Sequence, residues 1–250
     1  MNQNEVLTDP KRLVRLTLQN AGFDPDSINV PKRVYLLADD IFDAMIGKNC
    51  GEYQYPLGGD LYVFHVNQNV GFVKGNMCSA GIATQAEDLI AGGAEELIHI
   101  GYAGGIEPGS KVGDIVLTDG AFYDIAVPRL YGYDAALIES TKELTDDIGL
   151  LLTRNGIYFH RGTHWTTDAG YHETWGQVLD YRSKGAICVE MEGAGLFTIA
   201  KYRKCRATAV YLISDTLNDD GWCLGWDDHV MQESLQGLLN TIISGMESDR

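Results

Sequence analysis

Glu190 and Glu192 flank Met191 where a short apolar run, Ile187 to Val189, meets the small residues Gly193, Ala194 and Gly195. The run reads as the end of a buried strand, and Leu196, Phe197, Ile199 and Ala200 after the small residues read as a helix that must pack closely. Residues two apart share a side in an extended segment. An extended junction would therefore aim both carboxylates into one space, where paired acceptors suit a diol. The alternative is two solvated acids favoured by the dipole of a helix start. Three other stretches carry groups of the same kind: the glycine-rich run His99-Ile-Gly-Tyr-Ala-Gly-Gly-Ile106, the loop Trp165-Thr-Thr-Asp-Ala-Gly-Tyr-His-Glu-Thr174, and Ser214-Asp215 at the end of an apolar run.

The glycine-rich run follows a strand with no helix after it, which sets it apart from a dinucleotide fingerprint, although its glycines still let backbone approach a ligand. The loop lies between a strand and a helix, where α/β enzymes place ligand contacts. Asp168 has a second reading as a helix cap. Six histidines raise the question of a metal, but His160 and His164, the pair spaced four apart, have Gly162 between them, which argues against a helix; no His-Glu-x-x-His pattern occurs, and a metal is not expected. Nor is there a Gly-x-Ser-x-Gly elbow for a serine hydrolase.

Val189-Glu-Met-Glu192, with Ser214-Asp215 downstream and the glycine-rich run upstream, resembles the nucleoside phosphorylases of the purine and uridine phosphorylase type. The resemblance implies that Glu192 takes ribose hydroxyls, that Met191 lies under the sugar, and that Glu190 is a second contributor. It puts the backbone of Gly101, Tyr102 and Ala103 near the sugar, and Thr167, Asp168 and Tyr171 against the base. Gly170 stands where many members stack a phenylalanine. Asp215 matches the acid that protonates the leaving base in purine-cleaving members; its other reading is a cap for the next turn.

The phosphate side departs from the pattern. His99 occupies one arginine position, Tyr102 a hydroxyl position, and Asp43 the arginine position after the first strand, so an anion there would meet a carboxylate in place of a guanidinium. Cleavage of a nucleoside's N-glycosidic bond is the function implied, most simply by phosphorolysis, with inorganic phosphate as co-substrate and no cofactor. Hydrolysis, or nucleoside binding without catalysis, are the alternatives. A homo-oligomer, dimer or hexamer, is implied as well.

At 250 residues the chain can bury a substantial core. Its 35 acidic against 19 basic residues give a formal charge of −16, without the basic footprint that duplex nucleic acid or an anionic membrane requires. Five cysteines without a Cys-x-x-Cys pair read as reduced thiols, and Met1 to Glu5 carry no leader-like pattern, so a cytoplasmic location is expected.

The elements that must position these residues alternate along the chain. Helices are expected from Thr8 to before Gly22 with Val14, Leu13 and Leu16 as the apolar face, over 81–90, 135–151, 174–183 and 193–200, and from about Trp226 to Ile243. Strands are expected over 34–37, 97–100, 114–118, 156–160, 187–189 and 207–213, with 61–66 and 70–73 as a hairpin. The pattern predicts a single three-layer α/β domain spanning 1–250. Its mixed central sheet is flanked by helices and nucleoside-phosphorylase-like, with 1–30 as an N-terminal helical extension.

Overall fold

A computed structural model describes residues 6–226 and 229–248. The first half runs α1 (Pro10–Asn20), β1 (Arg33–Leu37), α2 (Asp39–Gly47), β2 (Gly51–Pro56), β3 (Asp60–Phe64), β4 (Asn67–Lys74), α3 (Ser79–Gly92), β5 (Glu96–Gly105), β6 (Ile115–Tyr123) and α4 (Val127–Leu130). The second half runs β7 (Leu137–Glu139), α5 (Lys142–Arg154), β8 (His160–Thr166), α6 (Trp175–Ser183), β9 (Ala186–Glu190), α7 (Gly193–Arg203), β10 (Arg206–Asn218), β11 (Gly221–Leu224) and α8 (His229–Ser248). The positions of Met1 to Glu5, Asp227 and Asp228, on which the leader and last-helix expectations partly fall, lie outside the described residues.

The described strands form one mixed sheet in the order β11-β10-β6-β8-β9-β5-β1-β4-β3-β2, with β7 beside β6. Because β10 also pairs with β5, the strands β5, β10, β6, β8 and β9 close on themselves, while β1, β4, β3 and β2 continue from β5 as an open wing. Closure removes two edges and creates an interior of its own. One apolar core lies under α1, α3 and α7, and includes Leu18, Ile82, Leu89, Leu196 and Phe197. The other lies under α2, α5 and α8, and includes Met45, Ile148, Leu152, Leu239 and Met246. A smaller cluster sets α6 against Trp165, whose ring stacks on Tyr181 at 4.5 Å.

Several local expectations are corrected. The glycine-rich run does not follow the strand but continues it: β5 extends to Gly105, pairing Gly101 with Tyr211 and Gly104 with both Val189 and Asp215. The expected helix over 135–151 begins only at Lys142, because Leu137–Glu139 pairs with Gly120–Phe122 as an edge strand. β8 starts where the expected 156–160 strand ends. In α1 the buried residues are Val14 and Leu18, four apart on one face, whereas Leu13 and Leu16 are exposed. Asp9 caps that helix by accepting from the Lys11 amide, with Pro10 in its first turn.

Candidate active site

The register across β10, β5, β9 and β8 places Asp215, Gly104, Val189 and Trp165 in one row, so the C-terminal parts of these strands converge. Gly104 keeps that row closely packed. A Cβ there would stand 3.2 Å from Asp215 Oδ2 and 3.3 Å from Val189 Cγ1.

The two glutamates part company at the β9–α7 junction. Glu190 is buried and faces the interior of the closed strands. Its Oε1 accepts a 2.5 Å bond from Thr166 Oγ1 and lies 3.1 Å from His164 Nε2, and His164 Nδ1 is 2.5 Å from Thr118 Oγ1. Its Oε2 accepts from the amides of Glu192 and Gly193, both at 2.8 Å. Burial would raise this carboxyl, but His164, Thr166 and the Glu192 amide outweigh it and hold it well below the usual carboxylate range. The expectation that Glu190 contributes to the sugar site is corrected: its acceptors are used in shaping the turn that carries Met191 and Glu192.

Glu192 is held by α3 instead. Its Oε1 accepts from the Cys78 amide at 2.7 Å, and Ser79 Oγ donates to the Met191 carbonyl at 3.0 Å, so the start of α3 is tied to this turn. Burial, then the Glu190 charge, push the Glu192 carboxyl up. Cys78 adopts φ +66° and ψ 157°, a conformation that side chains avoid. Met191 is half-buried beneath Gly170, where a Cβ would lie 3.2 Å from the Met191 sulfur.

The loop after β8 closes over this turn. Thr167 is buried; its amide donates to the Glu190 carbonyl and its hydroxyl accepts from the Ala169 amide. Asp168 is exposed and lies within the electrostatic reach of Glu192 and Cys78. Tyr171 is 98% exposed, with its ring 6.5 Å from Trp222. The cap of α6 is Thr174, in a reciprocal box with Gln177, which leaves Asp168 free of that duty. At the far end Asp215 accepts from Ser214 Oγ and from Trp222 Nε1, each at 2.7 Å. Glu173 lies beside Gly170; burial, then Asp215 and Asp124, push its carboxyl up to about 7. Met191, Glu192, Asp168, Glu173 and Asp215 thus gather around the loop.

Two residues expected on the phosphate side are elsewhere. His99 is only 4% exposed and stands edge-on to Tyr211 inside the closed strands, and burial pushes its imidazole down to about 4. A neutral, sealed ring cannot pair with an anion at the strand exit, so the phosphate role of His99 is corrected. Gly101 is what makes room for it, since a Cβ there would meet the His99 ring at 2.9 Å. Tyr102, on the opposite face of β5, donates to Asp40 Oδ2 at 2.5 Å and packs against Trp226. Burial, then Asp40, raise its phenol. Ala103 is buried, and its carbonyl lies 3.5 Å from Ser214 Oγ.

Cys78, Glu173 and Trp222 escaped the sequence reading. Glu173 was visible only as an acid beside a helix start, and Trp222 lies in a hairpin, β10–β11, that carried no alternating pattern. Cys78 owes its place to the path of the backbone between β4 and α3, which residue type does not announce.

A mixed sheet closed on itself and flanked by helices, with a glutamate turn and an aspartate meeting at converging strand ends, defines a nucleoside-phosphorylase-like α/β fold. A sequence profile described as the phosphorylase superfamily matches residues 30–244, and the chain belongs to that family. It is 30% identical, over 75% of its length and 79% of the relative's, to a DeoD-type purine nucleoside phosphorylase of Exiguobacterium sibiricum. It is 26% identical, over 75% and 76%, to a guanosine phosphorylase of Halorubrum lacusprofundi. Among solved structures it superposes on purine nucleoside phosphorylase of Toxoplasma gondii in complex with immucillin-H, with a TM-score of 0.76, 15% identity and coverage of 99% and 98%. A candidate methylthioadenosine nucleosidase of Weissella paramesenteroides gives 0.71, 21% identity and coverage of 89% and 100%.

Proposed function

We propose that the protein cleaves the N-glycosidic bond of a nucleoside. The observation that carries this reading is the Glu192 carboxyl, held at the β9–α7 turn by the Cys78 amide and set beside Met191, whose sulfur lies under the Gly170 loop that also brings in Glu173. Glu192 would hold sugar hydroxyls, Met191 would line the apolar sugar face, and the backbone at Gly101 and Ala103 would close the far wall. Thr167, Asp168 and Tyr171 would border the base. The carboxyls at the base end would offset the charge that develops on the leaving base as the sugar takes on oxocarbenium character.

Phosphorolysis, the activity named for the relatives, would give a free base and ribose 1-phosphate, with inorganic phosphate as co-substrate and no further cofactor. Hydrolysis is the second reading, and a specific observation favours it. Asp39 and Asp40 sit at the exit of β1, Asp40 holds the Tyr102 hydroxyl, and Lys74 is paired with Asp39 at 2.9 Å. An incoming phosphate would meet carboxylates at this exit, and the nearby cation is already paired.

Chromatography of base released from adenosine, inosine and uridine, with and without phosphate, separates the readings. Release only with phosphate supports the first and release without it the second; no release under either condition overturns both. A homo-oligomer belongs to the same reading, and light scattering is expected to give a multiple of the 27.5 kDa chain mass.

A further inference from the structure

The base end of the site holds two carboxyls with different surroundings. Asp215 is built as an acceptor: Trp222 Nε1 can only donate, and it and Ser214 Oγ each donate to one Asp215 oxygen. Glu173 has the opposite setting. No described residue hydrogen-bonds or ion-pairs with its carboxyl, which is half-buried beside Gly170 on the Met191 side of the loop. The charged groups facing it are Asp215 on β10 and Asp124 in the segment after β6, both acidic. Two carboxyls sharing one space are not both charged cheaply, so the one without donors keeps the proton.

We propose that Glu173 is the acid that protonates the departing base, that Asp215 accepts from an exocyclic amino group beside it, and that the pair thereby selects 6-aminopurine over 6-oxopurine nucleosides. This inference rests on the nucleoside-cleaving reading above. The matching edge of a 6-aminopurine offers a ring-nitrogen acceptor, N7, next to an amino donor; a 6-oxopurine offers two acceptors and would leave Asp215 facing a carbonyl. As the bond between C1′ and N9 breaks, its electron pair passes into the purine ring. The Glu173 proton moves to N7, and the base leaves neutral. Water or phosphate bonds to C1′, and Glu173 regains a proton from solvent. Protonation is required, so activity falls as pH rises. Burial and the Asp215 and Asp124 charges place that fall near pH 7.

The test compares kcat/KM for adenosine, inosine and a nitrophenyl riboside across pH 5.5 to 9 (roughly the span over which such an acid titrates), in the presence of phosphate. Nitrophenolate leaves without a proton. Wild-type protein is expected to prefer adenosine to inosine by about tenfold or more, with its adenosine profile falling through neutral pH. Glu173→Gln is expected to lose about 100-fold or more on adenosine, to flatten that profile, and to keep nitrophenyl riboside cleavage within about threefold. Asp215→Asn, which adds a donor, is expected to move preference towards inosine. Unchanged adenosine turnover in Glu173→Gln, an equal loss on both substrates, or a wild-type preference for inosine overturns the assignment. Wild-type protein that cleaves none of the three overturns the nucleoside reading itself, and the assignment with it.

Discussion

Glu190 and Glu192 stand two residues apart and do opposite work. One is enclosed with His164, Thr166 and Thr118; the other accepts from backbone amides, Cys78 across the turn among them. Glu192→Gln is expected to weaken nucleoside binding by about 10-fold, the scale of losing a hydrogen bond at a buried site. Titration calorimetry with a nucleoside checks this, and unchanged affinity would remove the ribose assignment. Cys78 presents the amide that Glu192 accepts, at a positive φ that glycine tolerates and other residues resist. Cys78→Gly is therefore expected to raise stability by about 1 kcal/mol net of glycine's greater entropy loss. Cys78→Ala keeps the strain and is expected to show no gain in urea unfolding.

At the scale of elements, α7 and α3 approach each other at their glycine and serine ends. A Cβ on Gly195 would stand 2.6 Å from the Ser79 carbonyl oxygen, and one on Gly193 would fall 2.4 Å from His164 Nε2. Gly195→Ala is expected to cost about 1–3 kcal/mol in urea unfolding, because backbone opposes the added methyl. Gly176→Ala, in the first turn of α6 with only Thr174 Oγ1 at 4.0 Å, is expected to be neutral or stabilising. The sequence announced this crowding through Gly193, Ala194 and Gly195, and announced the α/β alternation through its apolar runs. It did not announce that β5 runs on through Gly101, Gly104 and Gly105, because glycines read as turn residues when the partner strands that hold them extended are far away in the chain. Edge strands such as Leu137–Glu139 are short and owe their form to a neighbour, and periodicity assigned them to a helix. Side-chain type was enough to single out Glu192 and Asp215 as candidates. The site was illegible where direction matters, since a one-residue change of path decides whether His99 or Glu190 faces ligand or core.

At the scale of the whole molecule, closure of five strands gives the chain a sealed interior with its own polar network, and the candidate site lies at one end of it. The described surface around that end is acidic, with Asp39 and Asp40 of α2, Asp168 after β8 and Asp215 of β10 coming from three separate segments, in a chain whose formal charge is −16. Fields of this kind act beyond contact, over about 10 Å at moderate ionic strength, and fade as salt is added. A nucleoside carries no net charge and crosses such a field freely, whereas its 5′-monophosphate is slowed and held off. Inhibition by the monophosphate is thus expected to strengthen as sodium chloride rises from about 0.01 to 0.15 M, with nucleoside affinity unaltered; a monophosphate that binds most tightly at low salt would contradict this. Under the nucleoside-cleaving reading, the acids at the exit of β1 would act as a sieve, admitting neutral nucleosides more readily than their charged nucleotides.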